Sequence, residues 1–160
     1  MNNEKMQLPS LESEHLFYME IFQGTDLMTK DQEGRELLIS SITGGWFEGK
    51  DLKGKVEGIG AGYTTLLPPN QNELNMRLLM RTNDDRDIIL ESCGFLLLDA
   101  GMEKKLAKDE HVDPTQYYYR FYLRFQTADP GYSRLNGRCG IGVAGIKNWS
   151  TVCFDAYIIK

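Results

Sequence analysis

Four arginines stand inside aromatic or aliphatic stretches of this 160-residue chain: Arg77, Arg81, Arg120 and Arg124. A guanidinium offers a planar fork of donors that fits a carboxylate or enolate-like anion, and a phenol nearby can donate a hydrogen bond or serve as a weak acid. Arg77 and Arg120 as anion anchors, with Tyr63 or Tyr119 as the donor, would therefore suit a small organic acid. Alternation leaves two placements open. Leu74, Met76, Leu78 and Met80 share one face of their stretch and Asn75, Arg77 and Arg81 the other; Arg120 lies opposite Tyr119, Phe121, Leu123 and Phe125. Either the arginines face solvent, as arginine usually does, or the apolar faces turn outward under a second layer. In the latter case Arg77, Arg120, Tyr118 and Tyr122 line a lumen.

Other chemistry finds little support. Gly140-Ile-Gly142-Val-Ala-Gly145 matches the dinucleotide string G-x-G-x-x-G, but no helix follows it, so glycines at a close backbone approach explain it better. His15 and His111 are the only histidines and no C-x-x-C pair exists, so no metal site is expected. Asp84, Asp85 and Asp87 lack the glycine and distal glutamate of a calcium loop. There is no G-x-S-x-G, and Cys93 and Cys153 lie in apolar strands, where buried, inert thiols are expected. No catalytic residue and no cofactor is assigned, and whether the chain is an enzyme stays open.

Composition narrows the class. A net charge of -5 disfavours a nucleic-acid partner. No apolar run approaches the ~20 residues that span a bilayer, and the N-terminal M-N-N-E-K-M-Q-L-P-S-L-E-S-E-H has no continuous apolar region of a secretory signal. Three widely spaced cysteines, Cys93, Cys139 and Cys153, suggest reduced thiols and a cytoplasmic protein.

These residues need strands to hold them. Six glycines fall between Gly44 and Gly60, and Gly62 makes a seventh, interleaved with β-branched and aromatic residues, a pattern of bent strands rather than helix. The expected order is a loose arm over residues 1–14, then a β domain over 15–160. Its strands run from His15 to Gln23 (ended by Gly24 and a polar turn to Gly34), Arg35 into Trp46-Phe47, Leu52 to Leu67, and Glu73 to Thr82. Asp87 to Leu98, Tyr117 to Thr127, Cys139 to Ile146 and Thr151 to Ile159 complete the set. Residues 100–113 form the single helical excursion, about two turns long, and Tyr132 to Asn136 a helical turn. About eight to ten strands with short turns make an all-β, single antiparallel barrel. Asp87–Leu98 and Tyr117–Phe125 are apolar on both faces, which predicts a covering layer and a homo-oligomer.

The motifs carry a resemblance. T-G-G-W-F-E-G-K-D-L-K-G-K-V at 43–56, G-A-G-Y at 60–63, L-N-M-R at 74–77, Y-R at 119–120 and F-Q-T-A-D-P-G-Y-S-R-L-N-G-R at 125–138, followed by I-G-V-A-G, resemble the domain-of-unknown-function family three-two-three-seven, also called uncharacterised protein family three-one-one. The resemblance covers residues ~15 to 160. It implies a small bacterial or fungal β-barrel without an agreed activity, and its matching positions include Arg77, Tyr119, Arg120, Phe125, Thr127, Asp129, Tyr132 and Asn136. Where that family usually reads G-A-D-W, this chain has Gly60-Ala61-Gly62-Tyr63, so an in-site carboxylate is absent. The family's D-G turn is Asp84-Asp85 here. The candidate ligand-binding residues are thus Arg77, Arg120, Tyr63, Tyr119 and Asn136. The expected partners are a small polar or anionic metabolite in the barrel mouth and further copies of the chain. The alternative is a non-catalytic structural or interaction module acting through an oligomer surface.

Overall fold

A computed structural model describes residues 3–160. Eight strands run in chain order: β1 (Ser13–Lys30), β2 (Glu36–Glu48), β3 (Lys53–Leu67), β4 (Gln71–Thr82), β5 (Asp87–Leu97), β6 (Tyr118–Gln126), β7 (Gly140–Asn148) and β8 (Thr151–Ile159). Each pairs antiparallel with the next, and β8 closes on β1, so the sheet is an eight-stranded barrel. Closure leaves no unpaired edge strand, which long strands of this composition would otherwise expose. One helix, α1 (Ala100–Ala107), lies between β5 and β6, and one-turn helices span Pro114–Gln116 and Pro130–Leu135. No helix among the described residues is long and apolar enough to cross a membrane.

Period-two alternation decides the wall. Leu78 and Met80 on β4 point inward and are buried, as are Tyr119, Phe121, Leu123 and Phe125 on β6. The uninterrupted apolar faces therefore form the core, and Arg77 and Arg120 fall on the outer surface. Near one end the core is a packed aromatic cluster: the Phe17 ring lies 5.6 Å from Phe47, 6.0 Å from Phe125 and 6.2 Å from Phe154. Leu135, from the helical turn after β6, is buried in the same core.

Two expectations need correction. β1 does not end at Gly24 but continues to Lys30, and the polar turn shrinks to the residues after it. A bulge absorbs Gly24 and Thr25: the β1–β2 register shifts between Gln23 and Asp26, and pairing resumes with Asp26 opposite Ser40. The cysteines are free, but Cys93 and Cys139 are exposed and only Cys153 is partly covered. Cys93 lies on the outward phase of β5, between Ser92 and Gly94 on the inward one, so residence in an apolar strand did not bury it. Residues 3–12 carry no strand or helix, and Met6, Leu8 and Leu11 are exposed there.

Candidate functional site in the barrel mouth

The lumen is open at the end opposite Phe47 and Phe125. There the inward phase changes from aromatic to polar, with Gln23 and Asp26 on β1, Ser40 on β2, Thr64 on β3, Asn72 on β4 and Tyr119 on β6. Leu66, Leu74, Leu96 and Val152 supply apolar wall between them. Asp99 caps α1 by accepting a hydrogen bond from the Met102 N–H at 2.8 Å, which starts the helix beside the mouth. Leu106 is then buried there, and Glu103 faces the same space. Trp149, in the β7–β8 turn, stands at the rim, 54% exposed. The half-open cavity measures about 140 Å³. A recess of about 40 Å³ continues inward past Gly62, Met76, Ser92 and Phe121.

Polar groups around this cavity lack protein partners. The side chains of Gln23, Asp26, Ser40, Thr64, Asn72, Glu103 and Tyr119 make no hydrogen bond or ion pair with another described residue. For Ser40 and Tyr119 this is notable, since each is only 5% exposed. Neither oxygen is both sealed from solvent and unpaired, so both touch the open space. Burial pushes the Tyr119 phenol well above its ordinary pKa, and neighbouring Tyr117 and Cys153 add to the rise. Tyr119 is thus a neutral hydroxyl at physiological pH, able to donate or accept a hydrogen bond. Gly62 leaves a notch in the wall: a Cβ placed there would meet nothing closer than Gln23 Nε2, at 3.9 Å.

Of the five residues singled out from sequence, the structure brings Tyr119 to the mouth cavity, and Tyr63 borders its inner recess. Arg77 is outside the wall, with Nη2 2.9 Å from Glu91 Oε1, and Arg124 reaches the same carboxylate at 3.7 Å. Tyr63 shares a recess of about 410 Å³ on that outer surface with Arg77, Tyr122 and Arg124. The Arg120 guanidinium lies 5.4 Å from the centre of the Tyr118 ring and donates to the Tyr119 carbonyl at 2.8 Å. Asn136 is at the far end, where its amide receives the Thr127 N–H at 2.9 Å and donates to the Thr127 carbonyl at 2.8 Å. Thr127 donates to the Asp87 carbonyl, Asp129 caps the Pro130–Leu135 turn, and the Tyr132 hydroxyl donates to Asp84 at 2.9 Å. The F-Q-T-A-D-P-G-Y-S-R-L-N segment is therefore a latch that fastens the turn after β6 onto the β4–β5 turn.

The buried carboxylate of Glu20 lies outside this site and is already satisfied. Glu20, on the outer phase of β1, accepts from Lys147 Nζ at 2.6 Å and from the Tyr18 hydroxyl at 3.0 Å. Burial alone would raise its pKa, but these hydrogen bonds and the lysine charge outweigh it and hold the carboxyl below its ordinary value. Glu20 is a wall tie rather than a second site. The side chains that sequence reasoning missed are Gln23, Asp26, Ser40, Asn72 and Glu103. A period-two signal did exist in Leu38-x-Ser40-x-Ile42, whereas the β1 bulge hid Gln23 and Asp26.

A family model described as a protein of unknown function (DUF3237) matches residues 11–159. UPF0311 protein RPA1785 of Rhodopseudomonas palustris is 28% identical over 137 residues, covering 85% of this chain and 89% of the relative. Its crystal structure superposes with a TM-score of 0.84 at 25% identity, over 96% of this chain and 100% of the other. A β-barrel like protein from Acinetobacter baumannii AYE superposes with a TM-score of 0.83 at 30% identity, over 98% and 100% of the two chains. An enzyme from Penicillium herquei shares the fold alone, with a TM-score of 0.72 and 16% identity over 98% of this chain and 100% of that one.

Proposed function

We propose that this chain, which belongs to the DUF3237 family of proteins of unknown function, binds a compact organic molecule in the mouth of its barrel. One observation carries the proposal. In an otherwise packed lumen, buried hydroxyls of Ser40 and Tyr119 face a cavity with no protein partner. Both oxygens touch open space, so their hydrogen-bonding capacity is free for a molecule in the cavity rather than spent on the fold. A ligand with an apolar body and hydrogen-bonding substituents would satisfy them while covering Leu74, Leu96 and Val152. No lysine or arginine lines the cavity, so a polar ligand fits it and an anion does not. The free thiols are compatible with a reducing compartment such as the cytoplasm.

Isothermal calorimetry with benzyl alcohol and phenol tests this. Fragments of this size bind preformed amphipathic sites with Kd of about 1 mM. Binding lost in a Leu74→Trp variant, which fills the mouth, supports the proposal; unchanged binding in that variant removes it.

The outer surface favours a second, compatible role in self-association. Ile59, Tyr63, Phe95, Tyr118 and Tyr122 are exposed on β3, β5 and β6, and α1 does not cover them because it packs at the mouth. The patch holds both signs, Arg77 and Arg124 around Glu91, so a second copy could pair with it in a two-fold arrangement. Sedimentation at two concentrations, repeated with Tyr122→Glu, tests it. A dimer that the variant converts to a monomer is expected, and a wild-type monomer throughout contradicts it.

A further inference from the structure

The carboxylates at least partly buried in the outer wall have cationic partners: Glu20 with Lys147, Glu57 with Lys55 and Arg81, and Glu91 with Arg77. Asp26 and Glu103 have none among the described residues, yet both face the mouth cavity. Asp26 comes from the resumed β1–β2 pairing after the bulge and Glu103 from the first turn of α1, so two separate elements bring them to one opening. Trp149 stands at the same rim, an exposed indole of the kind that attracts cations.

Two acids alone would mark only a solvated rim. Ser40 and Tyr119 supply the independent observation, since both are 95% buried, unpartnered and directed into the same cavity. We infer that the mouth selects an organic cation: a protonated amine attached to a small apolar or aromatic body. The inference rests on the mouth being a ligand site and adds the charge class of the ligand. The ammonium sits between Asp26 and Glu103, close to Trp149. The body lies against Leu74, Leu96 and Val152, and a hydroxyl or carbonyl at the far end meets Tyr119 and Ser40. The notch at Gly62 sets how deep that end can reach, because it is the point where the wall has no side chain. Opposite charges attract by several-fold in affinity even at a hydrated rim, and the attraction falls as salt rises.

Three probes of nearly one shape separate charge from binding: benzylamine, a cation at neutral pH, benzyl alcohol, and benzoate. Their affinities are read by calorimetry, and by Trp149 fluorescence with Trp149→Phe as the blank. The expected order is benzylamine, then benzyl alcohol about tenfold weaker, then benzoate weaker again. The double variant Asp26→Asn/Glu103→Gln should weaken benzylamine about tenfold, to the level at which that variant binds benzyl alcohol. Equal binding of amine and alcohol by the wild type overturns the cation selectivity and leaves the mouth a binding site. Amine binding that the double variant does not weaken also overturns it. Failure of all three probes to bind removes both the selectivity and the site.

Discussion

Tyr119 and Arg120 are neighbours in the chain, yet they face opposite sides of the barrel wall. The Tyr119 phenol is buried at the mouth without a partner, while the Arg120 guanidinium lies 5.4 Å from the Tyr118 ring outside. One residue of register separates a cavity hydroxyl from a surface cation.

Tyr119→Phe removes a hydroxyl that bonds to nothing in the protein. Stability should therefore change by no more than about 0.5 kcal/mol, whereas affinity for a mouth ligand should fall about fivefold to tenfold, the worth of one hydrogen bond. Thermal unfolding and calorimetry on the same preparation measure the two. A large loss of stability with intact affinity would show that the hydroxyl serves the fold.

Gly60 and Gly62, two residues apart on β3, should respond oppositely to alanine. Gly60 has φ +101°, and a Cβ there would collide with the Arg77 carbonyl oxygen, so Gly60→Ala should cost at least about 2 kcal/mol. Gly62 has open space in front of it, so Gly62→Ala should be within about 1 kcal/mol of wild type, of either sign. Urea denaturation of both variants checks this; equal losses would mean that no notch exists at Gly62.

Much of this architecture was legible from spacing. The eight strands follow from apolar alternation punctuated by turn residues such as Asn83-Asp84-Asp85 and Pro68-Pro69-Asn70, and α1 from the charged stretch after Leu98. The site was not, because period two says only that Arg77 and Met76 face opposite ways, not which way is in. A barrel settles that through long-range closure of β8 on β1. Gln23 and Asp26 were hidden by the bulge beside them, which no local propensity announces. Asn136 drew notice within a motif that proved to be a fastening of the β6 turn.

Asn136→Ala and Arg77→Ala should separate fold from site. The Asn136 variant loses two hydrogen bonds to Thr127 and should cost about 1 kcal/mol in stability without altering mouth affinity. Arg77→Ala removes an exposed ion pair with Glu91 and should change stability by no more than about 1 kcal/mol and affinity not at all. Chemical denaturation and calorimetry check both. A drop in affinity in the Arg77 variant would return the ligand to the outer wall.

Glu20→Gln tests the wall tie through its pH dependence. The folded-state pKa of Glu20 is lowered from about 4.5, so its contribution is fully present above that value and is lost as pH falls through the lower, folded-state pKa. At pH 7 the variant should be about 1–2 kcal/mol less stable, since it weakens the hydrogen bond from Lys147 Nζ at 2.6 Å. The gap should narrow below about pH 4. Denaturation curves at pH 7 and pH 3 give the comparison; a gap that widens in acid would contradict the depressed pKa.

The account stands on the location of the ligand, and chemical-shift mapping of the isotope-labelled protein during a benzylamine titration reports that location residue by residue. Saturable shifts at Gln23, Ser40, Gly62, Tyr119 and Trp149, with Arg77, Tyr122 and Arg124 unmoved, are the expected result. Saturable shifts confined to Arg77, Tyr122 and Arg124, with the mouth silent, would contradict it.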